Sequence, residues 1–582
     1  MRFDAQWTTV PELIRYATTR YGELEAVAEA RTRTRISYAE LGERVERAAA
    51  ACLARGVEKG DRVAVWAPNT LDWIVCALGA VTAGAVLVPL NTRFKGAEAA
   101  DVLARSGTKL LFVTGTFLGT SYVASLRRAA AEAPDNVTAG EPGGGTTAGP
   151  GGGSTAGSAV RPDGAETGPA TVPHSGLPNG PGARPGRGPL PGLPCLADVV
   201  VLGDDAVPAD FLTWKDFLVS GESVSGAAVR ARAAEIDPSD PSDLVYTSGT
   251  TGRPKGAVIT HAQTVRAYDI WADLAGLRQG DRYLIVNPFF HTFGYKAGVI
   301  ACLTRGATMI PQPVFHVDTV LANIAAERIS VLPGPPTLHQ SLLDHPSRSA
   351  HDLSALRLVV TGAAVVPLRL VERLRTELRI GTVLTAYGLS EASGIVTMCR
   401  RGDAPGVIAA TSGRAIPGTE VRVDAPPGAP GEVLVKGFHV MRGYYEDPAA
   451  TFSALTPDGW LRTGDVGVLD PAGNLRITDR IKDMFIVGGF NAYPAEIEQL
   501  LGLHPDIADA AVIGVPDPRL GEVGRAYVVC RPRSLLTADD VIAWSRREMA
   551  NYKVPRSVEF VPDLPRNASG KVVKGELRTR HG

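Results

Sequence analysis

The chain has 582 residues, with 60 Lys and Arg against 61 Asp and Glu, a balance that leaves no basic footprint for nucleic acid or an anionic membrane. That length exceeds what one hydrophobic core sustains, so at least two domains are expected. The six cysteines (Cys52, Cys76, Cys195, Cys302, Cys399, Cys530) form no C-x-x-C pair and mostly read as buried thiols of a reducing compartment; the ten histidines show no zinc-ligand spacing.

The first residues carry Arg2, Asp4, Glu12 and Arg15 without an apolar run, which reads as no signal peptide and a cytoplasmic location. From Val10 to Val113 amphipathic helices alternate with short apolar strands, the signature of a layered α/β domain. Tyr38–Gly56 reads as a helix closed by glycine, Asp61–Ala67 and Leu110–Thr114 as strands. Trp73–Leu90 is long and nearly uncharged enough to suggest a membrane span. Gly84 and Pro89 break it, however, and Asn69 offers an N-cap, so a helix followed by a buried strand is expected. Between about Ala139 and Leu193 the composition collapses to Gly, Pro, Ser, Thr and Ala with no collagen period, which predicts a disordered insertion.

Strand and helix alternation resumes at Leu244 and runs to about Val396, where ATMIP, ISVLPG, LRLVVTG and GTVLTAYG read as successive strands. Ligands of open α/β sheets bind where such strands end. Short strands dominate from Val421 to Asp470, predicting a small β-rich subdomain. After Lys482 the chain restarts as a compact unit with helices at Pro494–Leu503 and Ala538–Met549. The expected division is therefore 1–481 and 482–582.

The stretch YTSGTTGRPKG, Tyr246–Gly256, carries the strongest chemical signal. Its glycines permit close backbone approach, and consecutive N–H groups can line an anion-binding concavity. Ser248, Thr250 and Thr251 add O–H donors and Lys255 a mobile positive charge, so a polyphosphate is the natural guest. It lacks Walker A spacing, and β-branched strand follows it instead of helix. A polar hairpin turn would explain the flanking strands, but not Lys255 or so many hydroxyls together.

YTSGTTGRPKG resembles the phosphate loop of the adenylate-forming superfamily, which includes acyl-CoA synthetases, peptide-synthetase adenylation domains and firefly luciferases. Further blocks match that superfamily in order. The resemblance places Thr247, Ser248, Gly249, Thr250, Thr251 and Gly252 on the phosphates. NPFFHTFG (Asn287–Gly294) resembles the segment bordering the acyl carboxylate, with His291 in the matching position. TGAA resembles the adenine-binding edge, giving Gly362, Ala363 and Ala364. YGLSEAS (Tyr387–Ser393) implies that Tyr387 packs on adenine with Gly388 in the same cofactor-binding block, Ser390 contacts phosphate and Glu391 binds Mg²⁺; the family more often has Thr at 390. WLRTGD resembles the ribose-binding block, so Asp465 takes both ribose hydroxyls. ITDRIKD implies a ribose- and phosphate-contacting Arg480 and a hinge at Lys482. The paired glycines Gly488 and Gly489 resemble the wall of the pantetheine tunnel, and PRNASGK places Lys571 at the catalytic lysine.

The resemblance covers nearly the whole chain apart from the insertion. It implies an α/β fold: a large N-terminal domain of layered α/β subdomains plus a small β-rich one, and a small mobile C-terminal α+β domain. It implies AMP-forming acid–thiol ligation with ATP, Mg²⁺ and coenzyme A, no nucleic-acid partner and no membrane span, with a homodimer as the assembly to test. RLGEVGRAYVV (Arg519–Val529) and the lack of a carrier domain after Gly582 favour CoA over a carrier protein as thiol. NPFFHTFGYKAG, ISVLPGPPTLHQSLLDHP and ITDRIKDMFIVGGFNAYP are similar to actinobacterial ligases that activate the hexahydroindanone propanoate of steroid breakdown. The alternatives are a medium- or long-chain fatty acid as substrate, or an acyl-AMP ligase loading a carrier protein. The acyl pocket is expected along His291–Lys296, Pro333–Thr337 and Ala386–Ile395, with Lys296 either a solvent-facing helical lysine or a donor to a ring ketone.

Overall fold

The computed structural model describes residues 7–132, 190–203, 207–247, 254–362, 366–480, 483–487, 490–549, 551–567 and 570–579. The predicted insertion lies outside these residues as far as 189, but its expected end at Leu193 needs correction. Leu190 and Leu193 are buried beside Leu196, Val199 and Phe211. Their apolar side chains reach the core despite the surrounding prolines and glycine, so Leu190 and Leu193 belong to the folded chain and not to the insertion.

A seven-stranded sheet organises the first layer. In spatial order its strands are Lys255–Thr260, Pro241–Thr247, Val86–Pro89, Arg62–Trp66, Thr108–Thr114, Asp198–Leu202 and Leu212–Thr213. All pairings are parallel except the first, the hairpin Pro241–Thr247/Lys255–Thr260. Strands such as Val86–Pro89 are buried at every position, as a parallel sheet covered on both faces requires. The apolar run around Trp73 resolves into the helix Leu71–Thr82 and that strand, with Gly84 at φ 90° making the turn. The helix is capped by Thr70, whose Oγ1 accepts from the Trp73 N–H, and not by Asn69. Among the described residues no helix is long and apolar enough to cross a membrane.

A second layer contains strands Arg282–Ile285, Thr308–Pro311, Glu25–Glu29 and Thr34–Ser37, and beside them Leu358–Gly362, Thr382–Tyr387, Thr397–Met398 and Arg414–Ala415. Val331 links the two groups through single bridges to Tyr283 and Leu358. ISVLPG, expected as a strand, is extended backbone bridging the two groups at Val331 instead of a regular strand. Its backbone bonds to both neighbours, the Val331 N–H to the Arg282 carbonyl at 3.1 Å and the Leu332 and Gly334 N–H groups to the Leu358 and Val360 carbonyls at 3.0 Å, while Pro333, Pro335 and Pro336 supply no N–H donors to extend a regular ladder. The β-rich subdomain is an antiparallel meander of Thr419–Asp424, Gly431–Gly437, Leu461–Leu469 and Leu475–Arg480. The C-terminal unit has its own sheet, built on the long pair Ile507–Asp517 and Gly521–Cys530, and its own core around Phe485, Ile497 and Val512.

Candidate active site

The phosphate hairpin brings Thr247 and Lys255 opposite each other at the end of the first sheet. Ser248, Gly249, Thr250, Thr251 and Gly252 lie outside the described residues. Glu391 reaches this hairpin from the short turn Ser390–Ala392: its Oε1 accepts from Thr247 Oγ1 at 3.1 Å and from the Tyr444 hydroxyl at 2.9 Å. Burial and then the Glu391 charge push the Tyr444 phenol up, so its O–H remains a donor. The Lys255 ammonium stands 5.4 Å from the centre of the Tyr444 ring, within cation–π range. One half-buried carboxylate beside a phosphate-binding turn suits Mg²⁺, which prefers one or two carboxylates completed by substrate phosphates.

Tyr387, Asp465 and Arg480, the residues expected on the nucleotide, meet one another. The Tyr387 hydroxyl donates to Asp465 Oδ2 at 2.6 Å, and Arg480 Nε lies 2.8 Å from Oδ1. Burial, reinforced by the Asp465 charge, pushes the Tyr387 phenol well up. Asp465 and Arg480 are register partners on adjacent strands, which sets their pairing. Gly388 admits no side chain, because a Cβ there would fall 2.2 Å from the Gly394 carbonyl oxygen. Gly362, at its strand end, is equally closed by the Ala386 carbonyl at 2.4 Å. Ser390 is buried next to these residues. Ala363, Ala364 and Lys482 lie outside the described residues.

His291, expected beside the acyl group, caps a single helical turn, its Nδ1 accepting from the Phe293 N–H at 3.1 Å. Burial pushes this half-buried ring down to about 4. The ring is thus neutral near pH 7, and with Nδ1 accepting, its proton sits on Nε2. Asn69 shapes the loop before it: Nδ2 donates to the Ile285 and Asn287 carbonyls and Oδ1 accepts from Phe289 N–H. Asn287 in turn donates to the Pro333 carbonyl at 3.1 Å, tying His291's loop to the proline wall. After His291 the chain takes a π-helical turn, Tyr295–Ile300, a rare element that often marks functional sites. Lys296 within it is 0% exposed, 2.9 Å from Asp243 of the phosphate hairpin, and donates to Thr264 Oγ1. It is neither solvent-facing nor a ketone donor, because its charge is neutralised inside the core.

The C-terminal unit delivers the turn that bears Lys571. Asn567 accepts from the Lys571 N–H through Oδ1 and donates its own N–H to the Lys571 carbonyl. Gly570 adopts φ 81° between them, which explains why N-x-x-G-K needs Asn and Gly at those spacings. A Cβ on Gly570 would lie 3.5 Å from Pro335 Cγ and 3.7 Å from Thr337 Oγ1. The Lys571 turn therefore abuts the proline wall of the expected acyl pocket. Asp479 accepts from the Ala495 N–H at 2.9 Å, fastening the strand before the hinge to the helix Pro494–Leu501; burial pushes its carboxyl up to about 6, against Lys574. Gly488 and Gly489 lie outside the described residues. Asn69 and Tyr444 escaped the motif reading because each acts on residues hundreds or tens of positions away.

Residues 14–445 match the AMP-binding enzyme family and 496–571 its C-terminal domain. The chain is 47% identical over 573 residues to a 3-[(3aS,4S,7aS)-7a-methyl-1,5-dioxo-octahydro-1H-inden-4-yl]propanoyl:CoA ligase of Rhodococcus jostii, covering 98% of this chain and 99% of that protein. It is 48% identical over 544 residues to the ligase of the same description in Mycobacterium tuberculosis, covering 94% of each. Among solved structures, ATP-bound MatB from Rhodopseudomonas palustris superposes with a TM-score of 0.75 at 26% identity, over 98% of this chain and 99% of that one. The chain belongs to the AMP-binding enzyme family, among its ATP-dependent acyl-CoA ligases.

Proposed function

We propose that this ligase activates a bicyclic indanone propanoate through an acyl-adenylate, with the residue roles that follow. The substrate reading is carried by the near full-length identity to two ligases described for that acid. A carboxylate resists thiol attack because its leaving group would be oxide. Attack of its oxygen on the α-phosphorus of ATP breaks the bond to the bridging oxygen, releasing pyrophosphate and leaving AMP as a good leaving group. No protein nucleophile is required; the step needs positioning and fixed positive charge.

Lys255 and Lys571 supply that charge, and Asp465 with Arg480 holds the ribose while Tyr387 packs on adenine. Gly362, Ala363 and Ala364 form the adenine edge, and Thr247 to Gly252 with Ser390 contact phosphate. Glu391 would hold Mg²⁺, which neutralises phosphate charge when bound. His291, neutral and protonated on Nε2, donates toward the acyl carboxylate or adenylate oxygen. The C-terminal unit, residues 482–582, then turns about Lys482, withdrawing Lys571 and presenting Gly488 and Gly489 to the CoA thiol. Sulfur attacks the acyl carbon, the bond to AMP breaks, and acyl-CoA forms. The enzyme is inferred to act in the cytoplasm, with a homodimer to be tested by sedimentation.

The proline wall supports a rigid, short pocket: Gly334 N–H is bound to Val360 O, and Pro333 is held by Asn287. Rigid pockets discriminate by voids and clashes, at roughly 1–3 kcal/mol per misplaced methylene. The test is kcat/KM across linear and bicyclic acids. An indanone propanoate is expected to exceed hexadecanoate by at least about tenfold. Equal or better turnover of hexadecanoate would leave a general fatty-acyl-CoA ligase.

A further inference from the structure

We propose that Tyr444 is a positioning residue that sets the metal-binding carboxylate and the phosphate-loop lysine together, an inference resting on the roles given above to Glu391 and Lys255. Two distinct parts of one side chain do this. The hydroxyl donates to Glu391 Oε1 at 2.9 Å, and the ring presents its face to Lys255 Nζ at 5.4 Å. Thr247 donates to the same carboxylate oxygen at 3.1 Å. With both donors on Oε1, the rotation of the carboxylate is fixed and Oε2 is directed away from them. Ligand preorganisation of this kind tunes metal affinity, because the ligand need not be ordered on binding.

The backbone of Tyr444 is itself clamped to the phosphate hairpin. Gly443 accepts from the Val258 N–H at 3.0 Å, and Tyr445 donates to the Gly256 carbonyl at 2.8 Å. The Tyr444 N–H donates to Thr451 Oγ1 at 2.8 Å, and that hydroxyl donates to Asp447 O. Gly443 at φ 148° would bring a Cβ to 2.8 Å from Thr451 Cγ2, so only glycine allows this turn. A tyrosine needed only to fill space would not require its hydroxyl on the carboxylate and its face on the ammonium.

The two contacts separate experimentally through ATP binding by the full-length enzyme, measured by calorimetry with Mg²⁺ and again with EDTA. Tyr444→Phe keeps the ring and removes the hydroxyl. It should weaken Mg·ATP binding roughly tenfold, the scale for a hydrogen bond to a charged group, and leave metal-free ATP binding within about twofold. Tyr444→Leu removes the ring as well and should weaken metal-free binding a further several-fold. Glu391→Gln serves as the reference and should lose the Mg²⁺-dependent gain. If Glu391→Gln loses it while folded Tyr444→Phe binds Mg·ATP like the parent, the positioning role is overturned. If Glu391→Gln itself binds Mg·ATP normally, the metal role of Glu391 fails first, and the role of Tyr444 falls with it.

Discussion

Tyr387 and Arg480 grip Asp465 from two sides, the phenol O–H on Oδ2 at 2.6 Å and the guanidinium Nε by Oδ1 at 2.8 Å. Asp465 is only 3% exposed, and these two partners hold its carboxyl group in one rotamer. In the proposed ribose role each oxygen keeps a second lone pair for a sugar hydroxyl, which a carboxylate can accept without a donor of its own.

Asp465→Asn should therefore raise KM for ATP by more than about tenfold while lowering kcat less. The amide would turn N–H groups toward Tyr387, Arg480 or the diol, each of which needs an acceptor. ATP–pyrophosphate exchange measures this directly. An unchanged KM for ATP would remove Asp465 from the ribose site.

Lys571→Ala should abolish adenylate formation and spare thioester formation from supplied acyl-adenylate. The turn bearing Lys571 abuts Pro335 and Thr337 through Gly570, and only a first half-reaction uses an ammonium there. Gly489→Leu should do the reverse, with pyrophosphate release intact and CoA turnover lost. Equal loss in both half-reactions for Lys571→Ala would refute its assigned role.

The pH dependence of stability follows from buried rings. His261, His339 and His439 are 1%, 1% and 0% exposed, and burial pushes each down to about 4. Unfolded, each titrates near 6.5. Their stability is complete above pH 6.5 and is lost as pH falls toward 4, because the unfolded chain binds protons first. At pH 5 that is about 2 kcal/mol per ring. Asp479, raised to about 6, works in the opposite sense over pH 6 to 4 and offsets part of one ring. The melting temperature should therefore drop from pH 7.5 to pH 5, and His439→Gln should flatten the slope. A flat or rising profile in the parent would contradict this.

What the linear sequence revealed and what it hid follow from how ligand sites are built. Tyr246–Gly256, Tyr387–Ser393 and Trp460–Asp465 are contiguous blocks of the kind expected where backbone and neighbouring side chains are proposed to meet one ligand together, and such blocks are readable. The alternation of strand and helix was likewise visible, because strands such as Val86–Pro89 are uniformly apolar. Other features were not visible. Asn69 reads as a cap, yet it holds a loop more than two hundred residues away, and nothing in a local window distinguishes the two uses. ISVLPG reads as an ordinary strand, yet it is an extended bridge that bonds Arg282 on one side and Leu358 and Val360 on the other, with Pro335 and Pro336 supplying no donor to continue it. Tyr444 stands in a Tyr-Tyr pair of ordinary appearance, and the pairing of its segment with Ala257, Val258 and the Glu391 carbonyl brings it to Glu391.

Lys296 was hidden for the same reason, and it carries the last prediction. Its ammonium and the Asp243 carboxylate are 0% and 1% exposed at 2.9 Å. Burial pushes the lysine down while Asp243 opposes the shift, and Ser242 and Thr264 donate to the other carboxylate oxygen. Removing one partner of such a pair leaves an uncompensated buried charge, at about 3–5 kcal/mol, whereas replacing both with apolar residues is often neutral. Lys296→Met should thus lower the urea midpoint sharply, and Lys296→Met combined with Asp243→Leu should recover most of it. Adenylation offers the second readout. Asp243 lies in the strand that ends at Thr247, and Lys296 in the π-helical turn that follows His291. If the pair sets the spacing of phosphate loop and acyl site, the double variant will refold yet remain slow in pyrophosphate exchange, with KM for ATP little changed. Full recovery of both stability and rate would show that the pair is structural only, and a stable Lys296→Met single variant would show that it is not even that.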